Sequence, residues 1–113
     1  KLFPFIKILK WNEYESQLKS FDIIINATSL GLKANDDFKY LFKNFKESLI
    51  YIDTIYNPLQ TTMLKHLKSN NVKTFSGLEM FVYQGQKSFY LWNKVNPEIN
   101  DEIIELLKNK IND

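Results

Sequence analysis

The chain has 113 residues, 44% of them hydrophobic and 25% charged, with a net charge of +2, which suits one small globular domain or a piece of a larger one and excludes disordered and fibrous classes. All fifteen basic residues are lysines, so there is no arginine fork for bidentate base or phosphate contacts, and so weak a field argues against nucleic acid or an anionic membrane as partner. Cysteine is absent, which rules out disulfides and thiolate metal sites and is compatible with a cytoplasmic location. No apolar run approaches the ~20 residues that span a bilayer. Lys1-Leu2-Phe3-Pro4-Phe5 has neither an initiator methionine nor the layout of a signal peptide, so the sequence reads as the continuation of a longer chain.

Ile6-Lys7-Ile8-Leu9-Lys10 is a short candidate strand, and Asn12 to Lys19 a weak helix with Tyr14 and Leu18 one turn apart. Ile23-Ile24-Ile25 follows. An unbroken β-branched run suits a parallel strand covered on both faces. It stops at Asn26-Ala27-Thr28-Ser29, where amide and hydroxyl groups meet the strand's carboxyl end, and Gly31 permits a tight turn. In open α/β sheets ligands bind beyond those ends.

Phe38, Leu41, Phe42 and Phe45 fall at i, i+3, i+4 and i+7, the stripe of an amphipathic helix packed on a sheet. Ser48 to Tyr56 forms a second strand, with Ile50, Ile52 and Ile55 as its buried residues, and Asn57-Pro58 ends it. Thr61 is placed to cap a helix whose apolar side is Met63, Leu64 and Leu67, with Asn70-Asn71 at its end. His66, the lone histidine, sits beside Lys65 and reads as a solvated surface residue. Val72 to Phe75 is a third strand, closed by Ser76-Gly77. Strand, helix, strand, helix, strand is the βαβ pattern, and its right-handed crossovers bring the segments after Thr28, after Thr54-Ile55 and before Gly77 to one rim.

From Leu78 to Trp92 the period becomes helical: Leu78, Phe81, Val82, Phe89 and Trp92 form one stripe, on which Gly85 leaves room for a neighbour. Met80 and Gln84, four apart, share another face, where a glutamine against an apolar wall could fix a small polar ligand. Asn96-Pro97-Glu98 starts a last helix, and Ile99, Ile103, Leu106, Leu107 and Ile111 give it an apolar face that must dock on something. The fold class is α/β: a partial Rossmann-like, doubly wound parallel sheet with flanking helices, followed by two C-terminal helices.

Four motifs, Asn26-Ala27-Thr28-Ser29-Leu30-Gly31, Asp53-Thr54-Ile55-Tyr56-Asn57-Pro58-Leu59, Gly77-Leu78-Glu79-Met80, and Gln84-Gly85 followed by Ser88-Phe89 and Leu91-Trp92, occur in an order and spacing that resembles the C-terminal part of the shikimate dehydrogenase family. The resemblance implies an enzyme that reduces 3-dehydroshikimate to shikimate with NADPH on the chorismate route to aromatic amino acids. It implies that residues 1–76 are the second half of the NADP-binding domain and that residues 77–113 are helices returning to the substrate domain. It places Asn26, Ala27, Thr28 and Ser29 against the cofactor, Thr54 on the nicotinamide side where the family often has a methionine, the Gly77 carbonyl at the nicotinamide amide, and Met80 along that pocket. Tyr56 and Gln84 would bind substrate, and Asp53 would order the strand end. The family's catalytic Lys–Asp pair and glycine-rich pyrophosphate turn belong to the preceding part, so no catalytic residue is assigned to this chain, no metal is implied, and the chain alone is expected to be inactive.

In the doubly wound order the first strand lies between the third and fourth. A chain without the first two leaves Ile6–Lys10 away from Ile23–Thr28 and bares a sheet edge, which invites self-association or a different home for Ile6–Lys10. A quinate/shikimate dehydrogenase paralogue and a non-catalytic α/β interaction module are the alternative readings.

Overall fold

The computed structural model describes residues 3–11, 13–33 and 35–112. The elements run as a 3-10 turn (Glu15–Ser20), β1 (Ile23–Asn26), β2 (Ile50–Asp53), α1 (Thr62–Ser69), β3 (Lys73–Phe75), α2 (Leu78–Asn93) and α3 (Asp101–Asn112). The strands form one parallel sheet in the order β1-β2-β3, with Asn26 opposite Asp53 and Ile52 opposite Phe75. The parallel α/β expectation therefore holds, with the second and third strands shorter than their apolar runs.

Only one face of the sheet is covered. Tyr51 and Asp53, two apart on β2, are both fully buried, and Tyr51 packs with Leu18, Phe42, Leu49, Met63, Leu64, Leu67 and Val72. On the opposite face Ile23 and Ile25 remain 54% and 58% exposed. The all-apolar run is thus a two-sided strand with one side bare, because nothing among the described residues packs there. α1 supplies the cover on the filled side: Thr61 Oγ1 accepts the Leu64 N–H at 3.3 Å, and Asn71 adopts φ 61° just past the helix end. Leu67→Ala empties the centre of this core and is expected to lower unfolding stability by about 3 kcal/mol, read as a lower urea midpoint at unchanged slope.

Several expected elements differ. The Phe38–Phe45 stripe is core but not helix. Asn44 takes φ 55°, the Asp37 carboxylate accepts the Phe38 N–H at 2.8 Å, and aromatic side chains lose rotamers in a helix. The rings pack instead as a cluster, Trp11 on Phe38, Phe38 on Phe42 and Phe42 on Tyr51, with centroids 5.4–6.3 Å apart. His66 is half-buried rather than solvated, its Nε2 lying 2.8 Å from the Phe42 carbonyl of that irregular segment. Ile6–Lys10 forms no strand and leaves Ile8 84% exposed. The expected helix from Asn12 is the shorter 3-10 turn, and Asn12 itself lies outside the described residues.

α3 begins at Asp101, later than Asn96-Pro97-Glu98 suggests. The Pro97 carbonyl is held by Gln86 Nε2 at 2.6 Å, and Asn100 is the cap, its Oδ1 accepting the Ile103 N–H at 3.0 Å. On α2, Leu78 and Val82 are buried, whereas Phe81, Phe89 and Trp92 are 40–81% exposed, and among the described residues nothing beyond its own stretch of helix lies within 4 Å of where a Gly85 side chain would point. The Cα radius of gyration, 16.6 Å, exceeds the about 13 Å usual for this length.

Candidate functional site at the strand rim

The carboxyl ends of β1 and β2 are joined by one buried polar network. The Asn26 side chain, 3% exposed, closes its own turn: Nδ2 donates to the Leu30 carbonyl (3.0 Å), while Oδ1 accepts the Thr28 N–H (3.1 Å) and hydroxyl (2.7 Å). Thr28 Oγ1 in turn accepts the Leu30 N–H at 3.2 Å. Such side-chain-to-backbone bonds are what Asn and Thr offer a chain leaving a strand. Gly31 completes the turn at φ 96°, a conformation costly for any other residue.

Asp53 ties this turn to the rest of the rim. Its carboxylate is fully buried; Oδ1 accepts from Asn26 Nδ2 and from the Ile55 N–H, both at 3.1 Å, and Oδ2 from Thr61 Oγ1 at 2.8 Å. One side chain thus holds the end of β1, the exit of β2 and the cap of α1. Thr54 adds a second tie, its N–H and hydroxyl donating to the Asn26 carbonyl at 3.0 and 2.9 Å. Gly77 provides the third: its N–H donates to the Ile55 carbonyl at 3.0 Å, and a Cβ there would lie 2.5 Å from the Thr54 carbonyl carbon. No residue but glycine fits.

The sequence-derived site residues divide accordingly. Asn26, Thr54 and Gly77 are brought together by these bonds and form the floor of the rim. Ala27, Thr28 and Ser29 are exposed on the turn above it. The Gly77 carbonyl takes the Phe81 N–H at 2.9 Å and keeps a second lone pair free. Tyr56, 38% exposed, stacks on Phe81 with centroids 4.3 Å apart, and Gln84 stands one turn from Phe81, so Tyr56 and Gln84 occupy adjoining surface. Met80 does not join them. It lies in a separate groove with Ile52, Phe75, Leu78 and Tyr83, while the groove at the rim is lined by Leu32, Thr54, Ile55, Tyr56 and Asn57.

Two features were not drawn from the sequence. The Tyr56–Phe81 stack fixes Tyr56 against α2, and only the aromatic character of both positions hinted at it. The Tyr51 hydroxyl is buried without a hydrogen-bond partner among the described residues, and burial, reinforced by the Asp53 charge, pushes it far above the ordinary phenol range.

The family model described as the shikimate 5'-dehydrogenase C-terminal domain matches residues 77–100. The chain is 43% identical over 107 residues to the NADP(+) shikimate dehydrogenase of Pelagibacter ubique, aligning 95% of its own length but 39% of that protein's. Among solved structures, a shikimate dehydrogenase in complex with NADP+ superposes with TM-score 0.66 at 41% identity, over 84% of this chain and 32% of that one. The Thermus thermophilus enzyme, solved with NADP(H) and shikimate, gives TM-score 0.70 at 26% identity over 86% and 36% of the two chains. The chain therefore spans 32–39% of the length of these proteins. It is similar to shikimate dehydrogenases along nearly all of its own length, and residues 77–100 match the C-terminal domain of that family.

Proposed function

We propose that this chain is the C-terminal part of an NADP-dependent shikimate dehydrogenase, reducing 3-dehydroshikimate to shikimate in the cytoplasm, and that by itself it is inactive. The observation that carries the reading is the rim: the Asn26 turn, Thr54 and Gly77 converge at the carboxyl ends of parallel strands, where α/β sheets bind ligands. The residues present fit the nicotinamide end of such a cofactor. Thr28 and Ser29 expose hydroxyls, the missing Cβ of Gly77 allows close approach, and its carbonyl retains acceptor capacity.

In this reading Asn26, Ala27, Thr28, Ser29, Thr54 and Gly77 border the cofactor, and Tyr56 and Gln84 address the substrate's hydroxyl groups from adjoining surface. Met80, in its separate groove, reaches the nicotinamide pocket only if α2 shifts or turns. NADP, when bound, carries the hydride; this chain's residues orient the ring and shield it from water. Residues 1–76 belong to the cofactor domain and residues 77–113 return to the substrate domain, which accounts for the exposed apolar residues of α2 and α3. Alone, the chain is expected to self-associate through the bare edge of its sheet.

The test is shikimate-dependent NADP reduction by the longer polypeptide and by this chain with and without the separately expressed preceding part. Activity only where both parts are present supports the proposal. Turnover by this chain alone, or micromolar NADP(H) binding to it, would overturn the inactivity. A longer polypeptide that turns over quinate and not shikimate would favour the paralogue.

A further inference from the structure

Tyr56 and Phe81 form a near-parallel stack, with ring centroids 4.3 Å apart and planes inclined by 18°. This is the shortest separation among the described aromatic pairs. Burial does not force it, because the two residues remain 38% and 40% exposed. The backbone brings them together through Gly77. Its N–H donates to the Ile55 carbonyl at 3.0 Å, and its carbonyl accepts the Phe81 N–H at 2.9 Å. Ile55 is itself held by Asp53, whose Oδ1 accepts its N–H at 3.1 Å. Each ring therefore projects from a fixed segment, Tyr56 from the exit of β2 and Phe81 from the first turn of α2.

We infer that Phe81 is a positioning residue for the reaction, its ring holding Tyr56 in the rotamer that presents the phenol hydroxyl to a hydroxyl of shikimate. The inference rests on the reading of the chain as part of a shikimate dehydrogenase in which Tyr56 and Gln84 meet the substrate. Gln84 follows Phe81 by one turn on the same helix face, so the Phe81 ring neighbours both of those side chains. A face-to-face stack occupies the π face of Tyr56 and leaves its in-plane hydroxyl free to donate and accept. Without the stack, a tyrosine this exposed would share its time among several staggered χ1 wells. Substrate would then bind only the correctly turned fraction, and its apparent affinity would fall by that fraction. Phe81 thus acts through Tyr56, not on the reacting atoms. A leucine would still give Tyr56 apolar cover, but it offers no plane to set the tilt of the ring. That difference separates orientation from cover.

The test is steady-state shikimate oxidation with NADP by the longer polypeptide carrying Phe81→Leu or Phe81→Tyr. Phe81→Leu is expected to raise the shikimate KM by about 3- to 10-fold, the range that loss of one aromatic pair gives. Both kcat and the NADP KM should change by less than about 2-fold, as when uniform substrate binding is lost. Phe81→Tyr keeps the plane and should hold the shikimate KM within about 2-fold of the parent. In a Tyr56→Phe background, which lacks the hydroxyl, Phe81→Leu should add no more than about 2-fold, since both changes remove one interaction. An unchanged shikimate KM in Phe81→Leu overturns the inference, as does a Phe81→Tyr variant equally impaired or full additivity with Tyr56→Phe. An equal rise in both KM values with a lower urea midpoint overturns it too, by showing general support of the β2–α2 junction. A longer polypeptide without shikimate-dependent NADP reduction sinks the proposed function and this inference with it, whereas an active one indifferent to Phe81→Leu sinks the inference alone.

Discussion

Replacing Gly77 by alanine is expected to destabilise the chain by about 3 kcal/mol, the upper end for overpacking. The new methyl would fall on the Thr54 carbonyl, and the carbons of the Thr54 and Ile55 carbonyls stand 2.5 and 3.1 Å away. These are backbone atoms, so no rotamer change relieves the clash. Either the Gly77 N–H to Ile55 bond opens or the exit of β2 moves, and both disturb the rim. Gly85→Ala is the internal control. It lies inside α2, where among the described residues nothing beyond its own stretch of helix comes within 4 Å of the new methyl, and there alanine should stabilise by about 1 kcal/mol. Opposite signs from the same chemical change would establish that the position, not helix propensity, governs Gly77. Equal small effects in urea melts would show that the β2–α2 junction is looser than the contacts imply.

The parts of the fold legible in the sequence were those set by local chemistry. Thr61 three residues before Leu64, Asn70-Asn71 after Leu67, and the Ile23-Ile24-Ile25 run each specify their element through a bond or preference that reaches no further than four residues. The failures have one common cause. A helical period marks which residues face the core but not the backbone that presents them, so Phe38, Leu41, Phe42 and Phe45 pack as expected from an irregular segment. Burial misled in the opposite direction: an unbroken apolar run predicts cover on both faces, yet Ile23 and Ile25 are 54% and 58% exposed. The rim was legible as a set of residue types at strand ends. What the sequence could not show was the division of labour within it, in which Asn26 and Thr54 spend their polar groups on the backbone while Thr28 and Ser29 stay exposed.

Asp53→Ala should be among the most damaging polar substitutions in the chain, costing about 3–5 kcal/mol. The fully buried carboxylate serves Asn26 Nδ2, the Ile55 N–H and Thr61 Oγ1. Removing it leaves three buried donors short of an acceptor, each at about 1–3 kcal/mol, offset partly by the bond that Asn26 keeps to Leu30. Asp53→Asn separates the roles of shape and hydrogen bonding. It keeps the volume and one acceptor oxygen, which can still serve Asn26 and Ile55, and sets an NH2 group against Thr61. The Thr61 oxygen can accept from that group, so the loss should shrink to about 1–2 kcal/mol and concentrate at the α1 cap. Amide exchange can locate the damage. With asparagine, Leu64 should exchange faster while Thr28 and Ile55 change little; with alanine, all three should accelerate. Equal losses for the two substitutions would mean that the negative charge itself matters, whereas a loss below about 1 kcal/mol for alanine would mean that water replaces the carboxylate and that the rim holds its shape without it.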